Sequence, residues 1–130
     1  MCPQKICIIG DGLAGLATAA ILSEENIAID LFSPKIEKKT KNDNRTTAIS
    51  ESNYKFLKKE LHFKKLEYLW PCSNISLFYQ KDNNFFNFLN FTEKAKKIMY
   101  IFPNNKFKKT LTRIISKKKN IKILKEKITK

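Results

Sequence analysis

Three closely spaced glycines near the start of the chain, within residues 10–15, are the feature that most constrains its fold. Residues 6–9 before them, Ile-Cys-Ile-Ile, form a short apolar run that is typical of a strand buried on both faces. Residues 13–22 after them are rich in alanine and leucine and contain no proline, which favours a helix. Residues 27–32 are again apolar apart from Asp30. This order predicts a β-α-β unit of about 30 residues with two parallel strands.

The spacing of these glycines is that of a dinucleotide-binding turn, in which each glycine has a physical role. Gly10 permits the tight turn, Gly12 lets a pyrophosphate approach the backbone without meeting a Cβ, and Gly15 lets the helix pack close to the strand. The first helical residues, Leu13 and Ala14, present N–H groups and a partial positive charge to the phosphates. The motif therefore predicts a pyrophosphate-binding turn. A strand-glycine-helix turn that binds nothing is the alternative.

The position that usually holds the ribose of a dinucleotide departs from this pattern. An acid normally ends the second strand, about 20 residues past the glycines, and here Ser33 takes that place. Asp30 lies three residues earlier, where its side chain points across the strand. Ser33 can still hydrogen-bond a ribose hydroxyl, but a neutral group contributes less than a carboxylate. Asp11 would repel a pyrophosphate if it pointed at one, whereas a sideways orientation lets the helix dipole stabilise it.

Length and charge restrict the class of protein. At 130 residues the chain supports one domain with a sizeable core, and its net charge of +14 raises nucleic-acid binding as a possibility. Of its 26 basic residues, however, only Arg45 and Arg113 are arginines, on which nucleic-acid readers usually rely. The lysines are spread along the chain among many Asn and Ile residues, a composition that AT-rich coding sequences produce. Nucleic acid is therefore an unlikely partner and stays only as an alternative.

The cysteines and the single histidine predict neither a disulfide framework nor a metal site. Cys2, Cys7 and Cys72 show no metal-ligand spacing, and Cys7 is expected to be a small buried side chain in the first strand. His62 has no partner that would make it a ligand or a base. No segment approaches the roughly 18 apolar residues of a membrane span, and the start of the chain lacks the basic region of a signal peptide. These features favour a reduced, cytoplasmic protein.

The middle of the chain predicts a loop and then a helix. Residues 35–44 are polar and basic, as in a solvated loop. Residues 43–50 lead into a helical pattern with lysines on one side. The opposite face of that helix is expected to hold Ile49, Phe56, Leu57 and Leu61.

The second half of the chain predicts a strand pair, a further apolar run, a helix and a last strand. Residues 74–79 alternate and residues 85–91 are aromatic, so they are expected to form a two-stranded insert whose aromatic side chains lie in a sheet core. Residues 99–102 are another apolar run, and residues 121–124 are a final strand. The helix between them is basic and amphipathic, with Phe107, Leu111, Ile114 and Ile115 on one face. The whole predicts an α/β fold: a parallel sheet interrupted by a small antiparallel insert.

Two further motifs, read with the glycine turn, carry a specific resemblance. The first is Asp43-x-Arg45-x-x-Ala48-Ile49-Ser50, and the second is Tyr100-Ile101-Phe102-x-Asn104-x-x-Phe107-x-x-x-Leu111. With the turn they span nearly the whole chain, which resembles the N-terminal part of the FAD-dependent aromatic-ring monooxygenases. Within these, it is most similar to the ubiquinone-biosynthesis hydroxylases of the polyprenyl-methoxyphenol hydroxylase type.

The resemblance implies a Rossmann-like FAD-binding core in one domain, residues 1–130, with residues 72–101 as the start of an inserted substrate-domain sheet. It also implies that Arg45 reaches the flavin cofactor and that Asn104 lies near FAD. Arg45 has its own argument, because a planar guanidinium suits bidentate phosphate contact. Surface exposure for Arg45 and helix capping for Asn104 are the simpler readings. The expected FAD-binding residues are Gly10, Gly12, Leu13, Ala14, Gly15, Ser33, Arg45 and Asn104.

The same resemblance implies an oxidoreductase that uses dioxygen and a reduced nicotinamide donor to hydroxylate an aromatic quinone precursor. Such a protein is cytoplasmic or peripheral to the inner face of the membrane. The family's later flavin-binding segments, an Asp-Gly pair and a Gly-Asp pair, do not follow here, so the sequence is truncated relative to the family. We expect this chain to hold the ADP half of FAD without turnover and to contain no catalytic residue. A non-catalytic nucleotide- or partner-binding module is the alternative.

Overall fold

The computed structural model describes residues 4–33, 43–63 and 66–125, which hold eight strands and three helices. Most of the loop expected at residues 35–44 lies outside these ranges, and Cys2 lies outside them too. In chain order the elements are β1 (Gln4–Ile9), α1 (Leu13–Leu22), β2 (Ile27–Phe32), β3 (Thr46–Ser50), α2 (Glu51–Glu60), β4 (Trp70–Cys72), β5 (Asn74–Lys81), β6 (Asn84–Thr92), β7 (Met99–Pro103), α3 (Asn104–Ile115) and β8 (Ile121–Leu124).

A three-stranded parallel sheet, in the order β1-β2-β8, confirms the predicted β-α-β unit and the final strand. The central strand β2 buries Ile29 and Leu31 almost completely, because α1 and α3 pack together against that face of the sheet. Helix α1 forms where predicted, and α3 is amphipathic as predicted and buries Phe107, Leu111 and Ile115. The core lies between these two helices and the sheet. Its packing holds the carboxyl ends of β1 and β2 beside the start of α1.

Strand β1 is less buried than predicted. Side chains of β1 alternate between exposed and half-buried, so the strand is not buried on both faces. Cys7 is exposed rather than buried, and Ile9 is 72% exposed. The physical reason is that α1 and α3 cover only one face, while the opposite face carries an ion pair between Lys5 Nζ and Asp30 Oδ2 at 2.7 Å.

Residues 46–50 form a strand and not the start of a helix. In β3, Ile49 lies opposite Tyr100 of β7, so it is absent from the helical face predicted for it. The helix begins only at Glu51, where the Ser50 side chain accepts a hydrogen bond from the Asn53 N–H at 3.2 Å. The threonines and isoleucine before this cap are β-branched, which favours the strand.

The buried face of α2 also differs from the prediction. Tyr54 is the buried residue of the helix, and its ring centroid lies 4.3 Å from that of Tyr100. Phe56, which was expected on that face, is 53% exposed. Leu57 packs partly against the core and Leu61 is buried, as predicted. Because residues 46–50 belong to β3, the helix begins later than predicted. Its buried face therefore starts about one turn later and is centred on Tyr54.

The antiparallel part is larger than the predicted two-stranded insert. One antiparallel sheet has the order β3-β7-β4, and a second consists of the hairpin β5-β6. The hairpin is present where predicted, but its side chains do not form a sheet core. Every residue of β6 is exposed, and Phe85 reaches 73%. Among the described residues no second layer lies against the hairpin, so its aromatic side chains pack only on one another, as in the Tyr79–Phe86 pair at 5.3 Å between centroids.

Candidate functional site

The glycine turn joins the carboxyl end of β1 to the first residue of α1. Gly10 has a φ of +108°, a conformation that only glycine adopts easily, and its N–H donates to the Phe32 carbonyl at 2.9 Å. That bond continues the pairing of β1 with β2 past the last residue of the strand. The turn is therefore held against the end of β2, where Ser33 follows.

The packing of the fold requires glycine at residue 15 but not at residue 12. A Cβ on Gly15 would lie 2.1 Å from the Gly10 carbonyl oxygen, so the helix can pack on the turn only without one. A Cβ on Gly12 would meet no atom of the described residues within 4 Å, and its φ of −68° and ψ of 175° suit any residue. Gly12 is also the N-cap of α1, a position at which Ser, Thr, Asp or Asn would stabilise the helix. The fold thus explains Gly10 and Gly15 and leaves Gly12 unexplained.

The start of α1 offers free backbone donors. Within the described ranges no side chain caps the helix, and its first turn contains no acidic residue. The N–H groups of Leu13, Ala14 and Gly15 precede the first intrahelical bond, which Leu16 makes to the Gly12 carbonyl at 3.0 Å. These groups and the helix dipole together favour an anion beside Gly12.

Asp11 takes a sideways orientation, toward the end of β2 and toward α3. Its Oδ2 atom accepts one hydrogen bond from the Ser33 hydroxyl and another from Lys108 Nζ, each at 3.0 Å. Burial alone would raise the pKa of Asp11, but the hydrogen bonds from Lys108 and Ser33 outweigh it, so the pKa lies below its usual value of 3.8. The carboxylate is ionised at neutral pH and paired with a cation from α3.

A second cluster lies where the chain enters β3. Arg45 forms a two-point pair with Asp43, with Nε 2.8 Å from Oδ1 and Nη2 3.0 Å from Oδ2. The hydrogen bond from Arg45 holds the pKa of Asp43 at about 2. The Arg45 carbonyl accepts a bond from the Asn104 N–H at 3.0 Å, and Thr47 Oγ1 donates to Asn104 Oδ1 at 2.6 Å. The structure therefore brings Arg45 and Asn104 together, with the guanidinium side chain 81% exposed.

Helix α3 joins the two clusters. Asn104 is its first residue, and Lys108 follows four residues later. Side chains at this spacing lie on the same face of a helix, about 5–6 Å apart at Cβ. One face of α3 therefore contacts both the Arg45 cluster and the Asp11 carboxylate.

Sequence reasoning missed Lys108 and Thr47. Lys108 was one of many lysines on the amphipathic helix, and only its spacing of four residues from Asn104 marked it out. Thr47 lies in the segment that the sequence predicts to lead into a helix, and its contact with Asn104 depends on the pairing of β3 with β7. Two surface grooves lie elsewhere, and neither includes a residue of the glycine turn. Among the described residues, no group of His, Cys, Asp and Glu side chains is arranged to hold a metal ion.

Comparison with known proteins identifies relatives by fold alone. No protein-family model and no curated protein matches the chain. The chain is similar to p-nitrophenol 4-monooxygenase from Pseudomonas putida, with 16% identity and a TM-score of 0.63 over 93% of this chain and 32% of that one. It is also similar to a flavin-dependent halogenase from Xanthomonas campestris, with 10% identity and a TM-score of 0.68 over 98% of this chain and 36% of that one.

A third similar structure is a tryptophan 6-halogenase from Streptomyces toxytricini, with 11% identity and a TM-score of 0.68 over 98% of this chain and 38% of that one. At such identities the likeness shows a shared fold. The α/β arrangement of this chain is thus one found in a monooxygenase and in two halogenases, one of which is flavin-dependent, and the chain spans between 32 and 38% of the length of these three structures. In the part of the chain that the structure describes, no helix is long and apolar enough to cross a membrane.

Proposed function

We propose that this chain binds the ADP half of FAD at the glycine turn and corresponds to the N-terminal part of a flavin-dependent aromatic-ring hydroxylase. The observation that carries the proposal is Gly12. Its backbone angles suit any residue, a Cβ there would enter open space, and a polar residue would cap α1 better. Glycine caps this helix slightly less well than serine or aspartate does and is not required by the backbone angles, whereas close approach of a pyrophosphate to the backbone accounts for it.

The residues around Gly12 fit the nucleotide half of the cofactor. The N–H groups of Leu13 and Ala14 would bind the pyrophosphate, together with the guanidinium of Arg45. Asn104 and Thr47 would contact the cofactor from the start of α3 and from β3. When bound, the flavin supplies the redox chemistry, and this chain supplies binding and orientation.

The strand order supports the same proposal. In doubly wound sheets of order 3-2-1-4-5-6, the first three strands form one half of the sheet, and a dinucleotide binds where the order reverses. The parallel sheet here has the order β8-β2-β1, which corresponds to 3-2-1, and β1 is its edge among the described residues. The glycine turn at the end of β1 therefore lies beside the place where the order would reverse.

The finer assignment rests on the motifs of the sequence. Asp43-x-Arg45-x-x-Ala48-Ile49-Ser50 and the segment from Tyr100 to Leu111 favour a hydroxylase of the ubiquinone pathway, acting on a quinone-precursor ring. In that setting the hairpin β5-β6 starts the substrate-domain sheet, and the protein works in the cytoplasm or at the inner face of the membrane. The sequence has no glycine after Gly15, so it contains neither later flavin motif. We therefore expect this chain to bind without turnover.

The test compares Gly12→Val with the unchanged chain. Titration calorimetry should show ADP and FAD binding to the unchanged chain with similar affinity, because only the ADP half is held. Gly12→Val should lose both ligands, since its side chain occupies the space of the pyrophosphate. Its circular dichroism spectrum should stay unchanged, because the Cβ meets no atom of the described residues, and its thermal midpoint should fall only slightly, because valine caps α1 less well than glycine does. Equal nucleotide binding by the variant would contradict the proposal, and hydroxylation of a quinone precursor by this chain would contradict its lack of turnover.

A further inference from the structure

The end of β2 lacks an acid, yet a carboxylate lies directly beside it. Ser33 stands where an acid usually holds the ribose, and its hydroxyl lies 3.0 Å from Asp11 Oδ2. β1 and β2 are neighbours in the sheet, with Ile9 opposite Phe32, so the residues after each strand meet at the same edge. The carboxylate thus reaches the end of β2 from the glycine turn of β1.

The contacts of Asp11 leave it able to bind a ligand. Among the described residues, the two side chains that donate to Asp11 both reach Oδ2, whereas an ionised carboxylate has about four acceptor sites on two oxygens. The side chain is 24% exposed, and that of Lys108 is 40% exposed, so a ligand can reach the pair. Ser33 donates its proton to Asp11, which fixes the carboxylate in place and leaves the Ser33 oxygen as a further acceptor.

We infer that Asp11 is the ribose-binding acid of this chain, supplied by the glycine turn and oriented by Ser33. The inference rests on the proposed nucleotide binding and adds which residue recognises the sugar. A carboxylate accepts hydrogen bonds from the ribose hydroxyls more strongly than a neutral side chain does. The usual acid of β2 and Asp11 then differ in position and not in chemistry, because the carboxylate has moved to the turn that follows the neighbouring strand.

Lys108 removes the objection that a carboxylate at this turn would repel the pyrophosphate. Its ammonium lies 3.0 Å from Asp11 Oδ2, so the net charge of the pair is close to zero and would not repel a bound pyrophosphate. The lysine comes from α3, whose first residue is Asn104 of the other cluster. Asp11, Ser33 and Lys108 therefore form one hydrogen-bonded cluster at the carboxyl end of the sheet.

The test measures recognition of the ribose hydroxyls directly. ADP and 2′,3′-dideoxy-ADP are titrated into the 130-residue chain by calorimetry, and the ratio of their dissociation constants is the readout. The unchanged chain should prefer ADP by about tenfold or more, as expected for charge-assisted hydrogen bonds. Asp11→Asn should lose most of this preference. Placing the acid at its usual position, with Ser33→Glu in an Asp11→Ala chain, should restore it.

Asp30→Asn is the matched control, because Asp30 is the other acid near this end of β2 but pairs with Lys5. It should keep the full preference for ADP. Retention of the preference in Asp11→Asn would overturn the inference, and so would equal binding of the two nucleotides by the unchanged chain. The second outcome would leave the proposed nucleotide binding intact. Binding of neither nucleotide would overturn both.

Discussion

Arg45 combines an exposed side chain with a fixed orientation. Asp43 holds its guanidinium at two points, and exposed pairs of this kind contribute little to stability. We therefore expect Arg45→Ala to weaken ADP binding about tenfold, by loss of a bidentate phosphate contact, and to leave the thermal midpoint unchanged. Arg45→Lys should keep part of the affinity.

The other arginine of the chain provides the control for that measurement. Arg113 lies in the last turn of α3, where it lines a groove that contains no residue of the glycine turn. Arg113→Ala should bind ADP as the unchanged chain does in calorimetry. Equal losses in the two variants would mean that general positive charge, and not the position of Arg45, governs the affinity.

Asp11 makes the stability of the fold depend on acid. Because the pKa of Asp11 is lowered in the folded chain, the stabilisation from its pairing is complete above the usual value of 3.8 and is lost as the pH falls through the lower, folded pKa. Asp11→Asn cannot titrate, so its thermal midpoint should fall less between pH 6 and pH 3 than that of the unchanged chain. Asp82→Asn, in the exposed hairpin turn, should follow the unchanged chain. A parallel fall in the Asp11 variant would contradict this prediction.

Single residues of the site could be predicted only where a motif fixes the backbone. The glycines and Leu13 follow from spacing, because a tight turn and a helix start have few solutions. The partners of Asp11 could not be predicted, because Lys108 is 97 residues away in the chain and one of many similar lysines. Tertiary packing of α3 on α1 brings that lysine to the turn.

At the scale of elements, the contact between α1 and the end of β1 depends on Gly15. We expect Gly15→Ala to lower the free energy of unfolding by about 1–3 kcal/mol, because its Cβ would overlap the Gly10 carbonyl oxygen. This outweighs the gain of about 1 kcal/mol that alanine normally brings to a helix. Urea unfolding of Gly15→Ala and Gly12→Ala measures the contrast. Gly12→Ala should lose less, about 0.5 kcal/mol, because alanine is only a poorer N-cap there, and equal losses would refute the packing argument.

Elements with strong local signals were predictable, and those that depend on pairing were not. Helix α3 follows from its apolar periodicity, helix α1 from its alanine and leucine content, and strand β2 from a continuous apolar run. Strand β3 was mistaken for helix because Ile49 fits a helical stripe, and only its pairing with Tyr100 decides in favour of the strand. The exposure of β1 was also unpredictable, since an apolar run does not reveal how many layers cover it.

At the scale of the whole molecule, the hairpin β5-β6 presents one consistently apolar face. The pairs Ile75–Phe91, Leu77–Leu89 and Tyr79–Phe86 lie opposite one another along it. Two strands alone rarely form a stable sheet in water. Residues 74–92 carry only two charges, Lys81 and Asp82, in a chain of net charge +14. This face therefore has little charge to oppose apolar association.

We expect the chain to bind the dye ANS and to associate at high concentration through this face. Replacing the Leu77–Leu89 pair by Lys and Glu should reduce the dye fluorescence and the sedimentation coefficient, because the apolar face is interrupted. The same exchange at the opposed pair Ser76–Asn90, on the other face, is the control and should change neither. Similar effects of the two double variants would show that the apolar face is not responsible.

The open space beside Gly12 also determines how the gene would respond to laboratory evolution. In a library selected only for heat resistance, serine or aspartate should accumulate at residue 12, because either caps α1 and meets no steric barrier. In a library selected for retention of bound nucleotide, glycine should persist there at some loss of heat resistance. Gly10 and Gly15 should persist in both libraries. The two selections would thus distinguish Gly10 and Gly15, which the fold requires, from Gly12, which only nucleotide binding requires.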